Sequence, residues 1–293
     1  MLIDLKYKDA RGAADTLGGE LISYVDGRNI EYLWNGDDRF WNGRSPHLFP
    51  VIGTLKNGKT RIKGEDYSLQ KHGFARNSEF DVYEAGEHYV TFLLRDNIET
   101  RKGYPFRFSF YVTHTLNQSG FTTSYKIVNE DEELMYFNIG GHVGVKCPVL
   151  SDEAFEDYEI VFDRPLTTGA YFPPSDDPIL PEWYFGLLDG EDTLSLTHDL
   201  FEKGPIIIDQ ISSHLLKLRN KQNGRGIQFR YDGFPVLALW TFGVKKAPYL
   251  CLEPWHGMPA MVQDGKALWE KPYMISLSPH EEKDLQYTIT ILE

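Results

Sequence analysis

Arg107-Phe108-Ser109-Phe110-Tyr111-Val112-Thr113 and Phe121-Thr122-Thr123-Ser124-Tyr125-Lys126-Ile127-Val128 alternate in residue character, and Asn117-Gln118-Ser119-Gly120 lies between them. Successive side chains of a strand point to opposite faces, so period two in aromatic and β-branched residues marks half-buried antiparallel strands. Asn, Ser and Gly between the runs are turn formers. Tyr89-Val90-Thr91-Phe92-Leu93-Leu94 and Leu285-Gln286-Tyr287-Thr288-Ile289-Thr290-Ile291 repeat the pattern, and Asp26-Gly27, Asn57-Gly58 and Asp232-Gly233 add turns. No long segment carries apolar residues at i, i+3, i+4 and i+7. Many strands at short spacing predict an all-β fold, a large twisted antiparallel β-sandwich with few short helices.

The 293 residues, 41% of them hydrophobic, suffice for a large core. The Pro- and Asp-rich stretch Tyr171-Phe172-Pro173-Pro174-Ser175-Asp176-Asp177-Pro178 reads as a loop, and strand patterning continues beyond it. Residues 1–293 are therefore expected to form one domain. Leu194–Phe201 is expected to include a helical turn, and no repeat of fixed period is evident.

Forty-three acidic against 30 basic residues give a net charge of −13. Such a chain carries no electrostatic footprint for nucleic acid or an anionic membrane. Cys147 and Cys251 are the only cysteines, which excludes a zinc ribbon and a disulfide framework. The N-terminus lacks a signal-peptide layout, and no stretch approaches the roughly 20 apolar residues of a membrane span. A cytoplasmic location is the simplest expectation. Oligomeric state is not encoded legibly.

Three polar-centred stretches stand out from the strand pattern. In Gln70-Lys71-His72-Gly73-Phe74-Ala75-Arg76, Gly73 allows unusual dihedrals beside His72, and Arg76 offers a fork of donors to hydroxyls or a carboxylate. A surface histidine after a strand is the plain alternative. In Gly140-Gly141-His142, two glycines in apolar surroundings deliver one imidazole, which can give or take a proton near neutral pH. A satisfied core histidine at a bulge fits equally. In Tyr249-Leu250-Cys251-Leu252-Glu253-Pro254-Trp255, a carboxylate stands at the expected end of a buried strand, with Pro254 terminating the ladder. Burial of that carboxylate costs several kcal/mol unless it is paired or its pKa rises. A salt bridge to Lys or Arg is the alternative. The chain has no Gly-x-Ser-x-Gly elbow and no phosphate-binding Gly-x-x-x-x-Gly-Lys-Ser/Thr loop. His72, His142 and Glu253 could together hold zinc or iron, but local ligand spacing is absent, so no metal is expected.

In chain order, Glu31-Tyr32-Leu33-Trp34, Leu48-Phe49-Pro50-Val51-Ile52-Gly53, Leu55-Lys56-Asn57-Gly58, His72-Gly73-Phe74-Ala75-Arg76 with Ser78-Glu79-Phe80, Tyr104-Pro105-Phe106, Gly140-Gly141-His142, Phe234-Pro235 with Leu239-Trp240, and Cys251-Leu252-Glu253-Pro254-Trp255 resemble the motifs of one family. That family is the aldose 1-epimerase (galactose mutarotase-like) family, and the bacterial branch linked with lactose-utilisation operons is the nearer likeness. The resemblance spans nearly the whole chain. It implies a β-sandwich with an open cleft for a pyranose. It implies His142 as general acid, Glu253 as general base and His72 as a second histidine at the ring oxygen. The family commonly has a sugar-binding arginine where this chain has Thr54, and Lys56 or Arg76 is the expected substitute. Asp209 is the expected counterpart of the family's substrate-binding aspartate. Phe74, Trp240 and Trp255, with Trp41, are expected to stack on the sugar.

These assignments predict an isomerase that interconverts the anomers of a free hexose by ring opening. No cofactor is expected, because neither a hydride nor a phosphoryl group moves. His142 is expected to be protonated, its pKa raised by a nearby carboxylate, and Glu253 ionised. Two rival functions fit the same sequence features. A hexose-phosphate epimerase needs a cationic pocket from Arg44, Lys56, Lys59 and Arg76. A sugar-binding or regulatory protein would have lost turnover, for which Thr54 is the relevant departure.

Overall fold

The structure, a computed structural model, describes all of residues 1–293. Its main feature is one 15-stranded sheet in which every paired strand is antiparallel. Along one half of the sheet run Glu282–Leu292, Gly120–Asn129, Phe108–Asn117, Tyr89–Arg95 and Asp81–Ala85. Phe108–Asn117 and Gly120–Asn129 form the hairpin that the sequence period predicts, with Asn117 opposite Gly120. The other half begins with His47–Leu48, Ile139–Gly141, Tyr249–His256, Val236–Trp240 and Ile206–Ile208. Helix is confined to 3-10 turns of three or four residues, including the expected one at His198–Phe201.

A second sheet, Leu2–Tyr7, Ala10–Asp15 and Glu20–Val25, packs on the hairpin side. A Cβ at Gly12 would lie 2.9 Å from Leu116, which shows how closely the layers meet. Alternation puts the apolar face inward: along Gly120–Asn129 every second residue from Phe121 to Asn129 is buried. Phe49, Phe108, Phe110, Tyr125 and Tyr287 belong to one core of 61 buried residues. Burial on this scale, at roughly 25 cal/mol per Å² of apolar surface, is the principal stabilising term of such a sandwich.

Pro254 does not end its strand. Tyr249–His256 continues through it, with Pro254 opposite Leu237. No helix is long and apolar enough to cross a membrane.

Candidate active site

The strand Val143–Lys146 runs antiparallel to Tyr249–His256, with Val143 opposite Leu252. One step along that register sets His142 beside Glu253. Glu253 sits mid-strand, opposite Ala238 on its other side, so its backbone is fixed by neighbours on both flanks. The His142 Nε2 to Glu253 Oε2 distance is 3.1 Å, with Glu253 2% exposed and His142 9% exposed. The distance is that of a hydrogen bond, but Glu253 Oε2 lacks a well-aligned donor and His142 Nδ1 has no partner. Catalytic hydrogen bonds often align only when substrate is bound. Glu253 forms no salt bridge with a lysine or arginine; its ionic neighbour is His142.

Burial governs both groups. It pushes the Glu253 carboxyl well above its usual range, against the pull of Lys71 and Arg76. It holds His142 down to about 3, with the charges of Arg76 and Lys71 adding to the effect. This reverses the expected rise of the histidine. A carboxylate raises an imidazole's pKa only if it is ionised, and here loss of water disfavours both charged forms.

His72 approaches from the opposite wall. Its φ is 66° and that of Gly73 is 73°, two consecutive left-handed residues. Only glycine fits at 73, because a Cβ would lie 2.1 Å from the Phe49 carbonyl oxygen. The conformation at His72 is held by Gly53: His72 N donates to Gly53 O at 2.9 Å, and Gly53 N donates to His72 Nδ1 at 3.1 Å. With Nδ1 accepting, the neutral ring carries its proton on Nε2. Burial, with the charges of Lys71 and Arg76 adding to it, keeps that ring neutral, well below the ordinary histidine range. The His72 and His142 rings are 5.9 Å apart, centroid to centroid, and nearly perpendicular.

A cleft of about 550 Å³ opens over these three residues. Arg76, Trp240 and Trp255 line it. Trp41, named from sequence as a stacking residue, lines it too, and so do Lys71 and the loop Pro173–Asp177, which the sequence did not assign to binding. Trp41 lies over His142, ring centroids 4.9 Å apart and planes inclined by 31°. Lys71 Nζ bonds Asp176 Oδ1 at 2.6 Å, and Thr54 Oγ1 donates to the Asp176 carbonyl oxygen at 2.6 Å. The position of the usual arginine thus tethers the far wall of the cleft.

Three expected binding residues lie elsewhere. Phe74 packs on Phe49, Tyr104 and Phe108, because the backbone reversal at Gly73 turns it away from the cleft. Lys56 Nζ donates to the carbonyl of Val262 at 2.7 Å, which stabilises a loop. Asp209 does not line the cleft; it accepts a hydrogen bond from the Tyr273 hydroxyl. Of the four cations expected to bind a phosphate, Arg76 alone lines the cleft, and Arg44 Nε donates to the Asn35 carbonyl instead. His47 and His114 are fully buried away from the cleft, and His256 bonds the Tyr273 carbonyl. His142, Cys251 and Glu253 bring potential metal-ligand atoms within 4.8 Å of one another. His72 is not part of that set.

The cleft on this antiparallel β-sandwich is thus walled by aromatic rings and floored by a buried imidazole–carboxyl pair. The profile of the family described as Aldose 1-epimerase matches residues 8–290, and the chain belongs to that family. It is similar to the chromosomal LacX protein of Lactococcus lactis subsp. lactis, with 34% identity over the full length of both chains. Among solved structures, a galactose mutarotase related enzyme from Lactobacillus acidophilus has 28% identity and a TM-score of 0.92, covering 100% of this chain and 98% of its own. A galactose mutarotase-like protein from Lactobacillus casei has 29% identity and a TM-score of 0.88, with both chains fully covered.

Proposed function

We propose that this chain, as one domain spanning 1–293, is a cofactor-independent aldose 1-epimerase acting on a free hexose. The observation that carries the reading is the buried His142–Glu253 pair at 3.1 Å on the floor of the cleft. Anomer exchange needs one proton removed from the anomeric hydroxyl and one delivered to the ring oxygen. A singly protonated pair contains both an acid and a base.

In the free site, burial favours the neutral imidazole beside the protonated carboxyl. The imidazolium–carboxylate form has the same proton count and differs by one proton shift. A sugar whose anomeric hydroxyl donates to Glu253, and whose ring oxygen accepts from His142, stabilises that shifted form. Glu253 then takes the hydroxyl proton as the C1–O5 bond breaks, and His142 protonates O5. Rotation about C1–C2 presents the other face of the aldehyde. O5 attacks C1 again, His142 recovers its proton from O5, and Glu253 returns its own to the new anomeric hydroxyl. Each positioned group contributes on the order of 10²–10⁴-fold. The Nε2 proton of His72 is a donor to the ring oxygen, and Arg76 is a donor to hydroxyls. Trp240 and Trp255 offer flat faces to the sugar's C–H groups.

Exchange NMR on glucose and galactose tests the reading. Accelerated anomer exchange, lost in both His142→Ala and Glu253→Gln, is the expected result. Sugar binding without exchange would make the protein a sugar-binding member of the family. Exchange confined to a hexose phosphate would shift the substrate assignment to Arg76, Lys71 and Lys203, the cations that line the cleft.

A further inference from the structure

We propose that the floor of the cleft is also a trap for a soft divalent transition ion, zinc above all, ligated by His142, Cys251 and Glu253. Cys251 and Glu253 are two residues apart on one strand, so their side chains share a face. His142 meets that face from the neighbouring strand. One ligand atom from each residue lies within 4.8 Å of the other two, and all three residues are buried. Glu253 Oε2 and His142 Nδ1 have no hydrogen-bond partner within the protein, so donor capacity is left unused.

Thiolate, imidazole and carboxylate are the donors that zinc takes, at about 2.3, 2.0–2.1 and 2.0–2.2 Å. Tetrahedral geometry at those lengths separates ligand atoms by roughly 3.5 Å, so the widest pair must close by about 1 Å. Rotation about side-chain bonds suffices for this. His142 and Glu253 line the cleft, which supplies an entry path and room for a water or a sugar hydroxyl as a fourth ligand. Calcium and magnesium are excluded by chemistry, because they prefer all-oxygen shells. The mechanism proposed above has no use for Cys251, and the other thiol, Cys147, is not among these donors. Metal binding itself does not depend on the epimerase reading. Its consequence does: an ion held here occupies both proton-transfer groups and inhibits exchange.

Cobalt(II) titration of the chelator-treated full-length protein reads the site directly. The expected result is one equivalent bound, with intense visible bands of a tetrahedral ion and a near-ultraviolet thiolate-to-cobalt charge-transfer band, both bleached by zinc. Cys251→Ser should abolish the charge-transfer band and weaken zinc binding at least about tenfold, while retaining anomer exchange. Cys147→Ser should change neither. If Cys251→Ser does not fold, Cys251→Ala and the wild-type spectrum carry the same test. Absence of the charge-transfer band in wild type, or its persistence without Cys251, overturns the proposal. With zinc, stoichiometric addition should stop exchange and a chelator should restore it. A chelator that itself stops exchange would make the ion a cofactor and overturn the trap. A cobalt band in a protein without exchange would leave the site standing and defeat only the epimerase reading.

Discussion

His47 and His114 aim their Nε2 atoms at one acceptor, the carbonyl oxygen of Gly19, at 2.9 and 2.7 Å. Each Nδ1 accepts a hydrogen bond from a hydroxyl, that of Tyr125 for His47 and that of Thr123 for His114. Both rings are therefore neutral, stacked 5.5 Å apart in the core. Burial lowers them to about 3 and about 4, and the nearby His114 lowers His47 further. Below pH 6.5 the unfolded chain takes up protons that the folded chain refuses. Stability is thus complete above pH 6.5 and falls as the pH drops towards 4, by about 1.4 kcal/mol per unit for each ring. Thermal unfolding between pH 7 and 4.5 should show this loss, and His114→Gln should reduce the slope by one ring's share. Equal slopes in variant and wild type would refute it.

Trp41 is seated by absences. A Cβ at Gly144 would lie 3.0 Å from the Trp41 ring, and one at Gly43 would lie 2.4 Å from it. The indole so placed covers His142 and fixes the plane of its ring. Trp41→Ala should lower kcat for exchange at least about tenfold, and Trp41→Phe should restore most of it. The His142 ring-proton NMR shifts should move in Trp41→Ala, because the indole's ring current is lost. Gly144→Ala should cost about 1–3 kcal/mol by overpacking and reproduce part of the kinetic defect. Unaltered His142 shifts in Trp41→Ala would remove Trp41 from the site.

Asp176 ties the Pro173–Asp177 wall across the cleft to Lys71 and Thr54. Its carboxylate is 65% exposed and the lysine 47%, so the ion pair contributes less than about 1 kcal/mol to stability. Its weight falls on the loop. Asp176→Ala should leave the melting temperature within about two degrees and raise KM several-fold, with kcat little changed. Added salt should raise wild-type KM in the same direction and leave the variant's nearly flat. A KM that ignores both the substitution and the salt would show that the wall needs no latch.

The strands were legible because period two survives wherever one face is buried, as along Phe108–Asn117 and Gly120–Asn129. His72, His142 and Glu253 drew notice for a related reason: each is a titratable residue beside Gly or Pro that breaks the strand pattern, and Arg76 follows in the His72 stretch; all four line the cleft. Lys71 belongs to an irregular segment, and its partner Asp176 is 105 residues away. Trp41 was expected at the sugar, but its seat over His142 depends also on Gly144, far away in sequence. Phe74 misled because it sits two residues from His72, and a left-handed pair reverses the chain between them. Asp209 misled because its partner, Tyr273, is 64 residues away.

Glu253 offers a direct measure of what the site costs the fold. Burial raises its pKa, so the folded state holds a proton that the unfolded chain releases above about 4.5. The stability associated with that proton is present below pH 4.5 and is lost as the pH rises towards the folded-state value. Glu253→Gln keeps the shape and removes the ionisation. At pH 7 it should be more stable than wild type by about 1–3 kcal/mol, and the advantage should vanish near pH 4. The acid response of His47 and His114 is common to both proteins and cancels in the difference. Anomer exchange should meanwhile fall by at least about 10²-fold. Denaturant unfolding of both proteins at pH 4 and pH 7 measures the difference. A variant less stable than wild type at pH 7 would mean that the carboxyl is stabilised by its surroundings and is not strained by them.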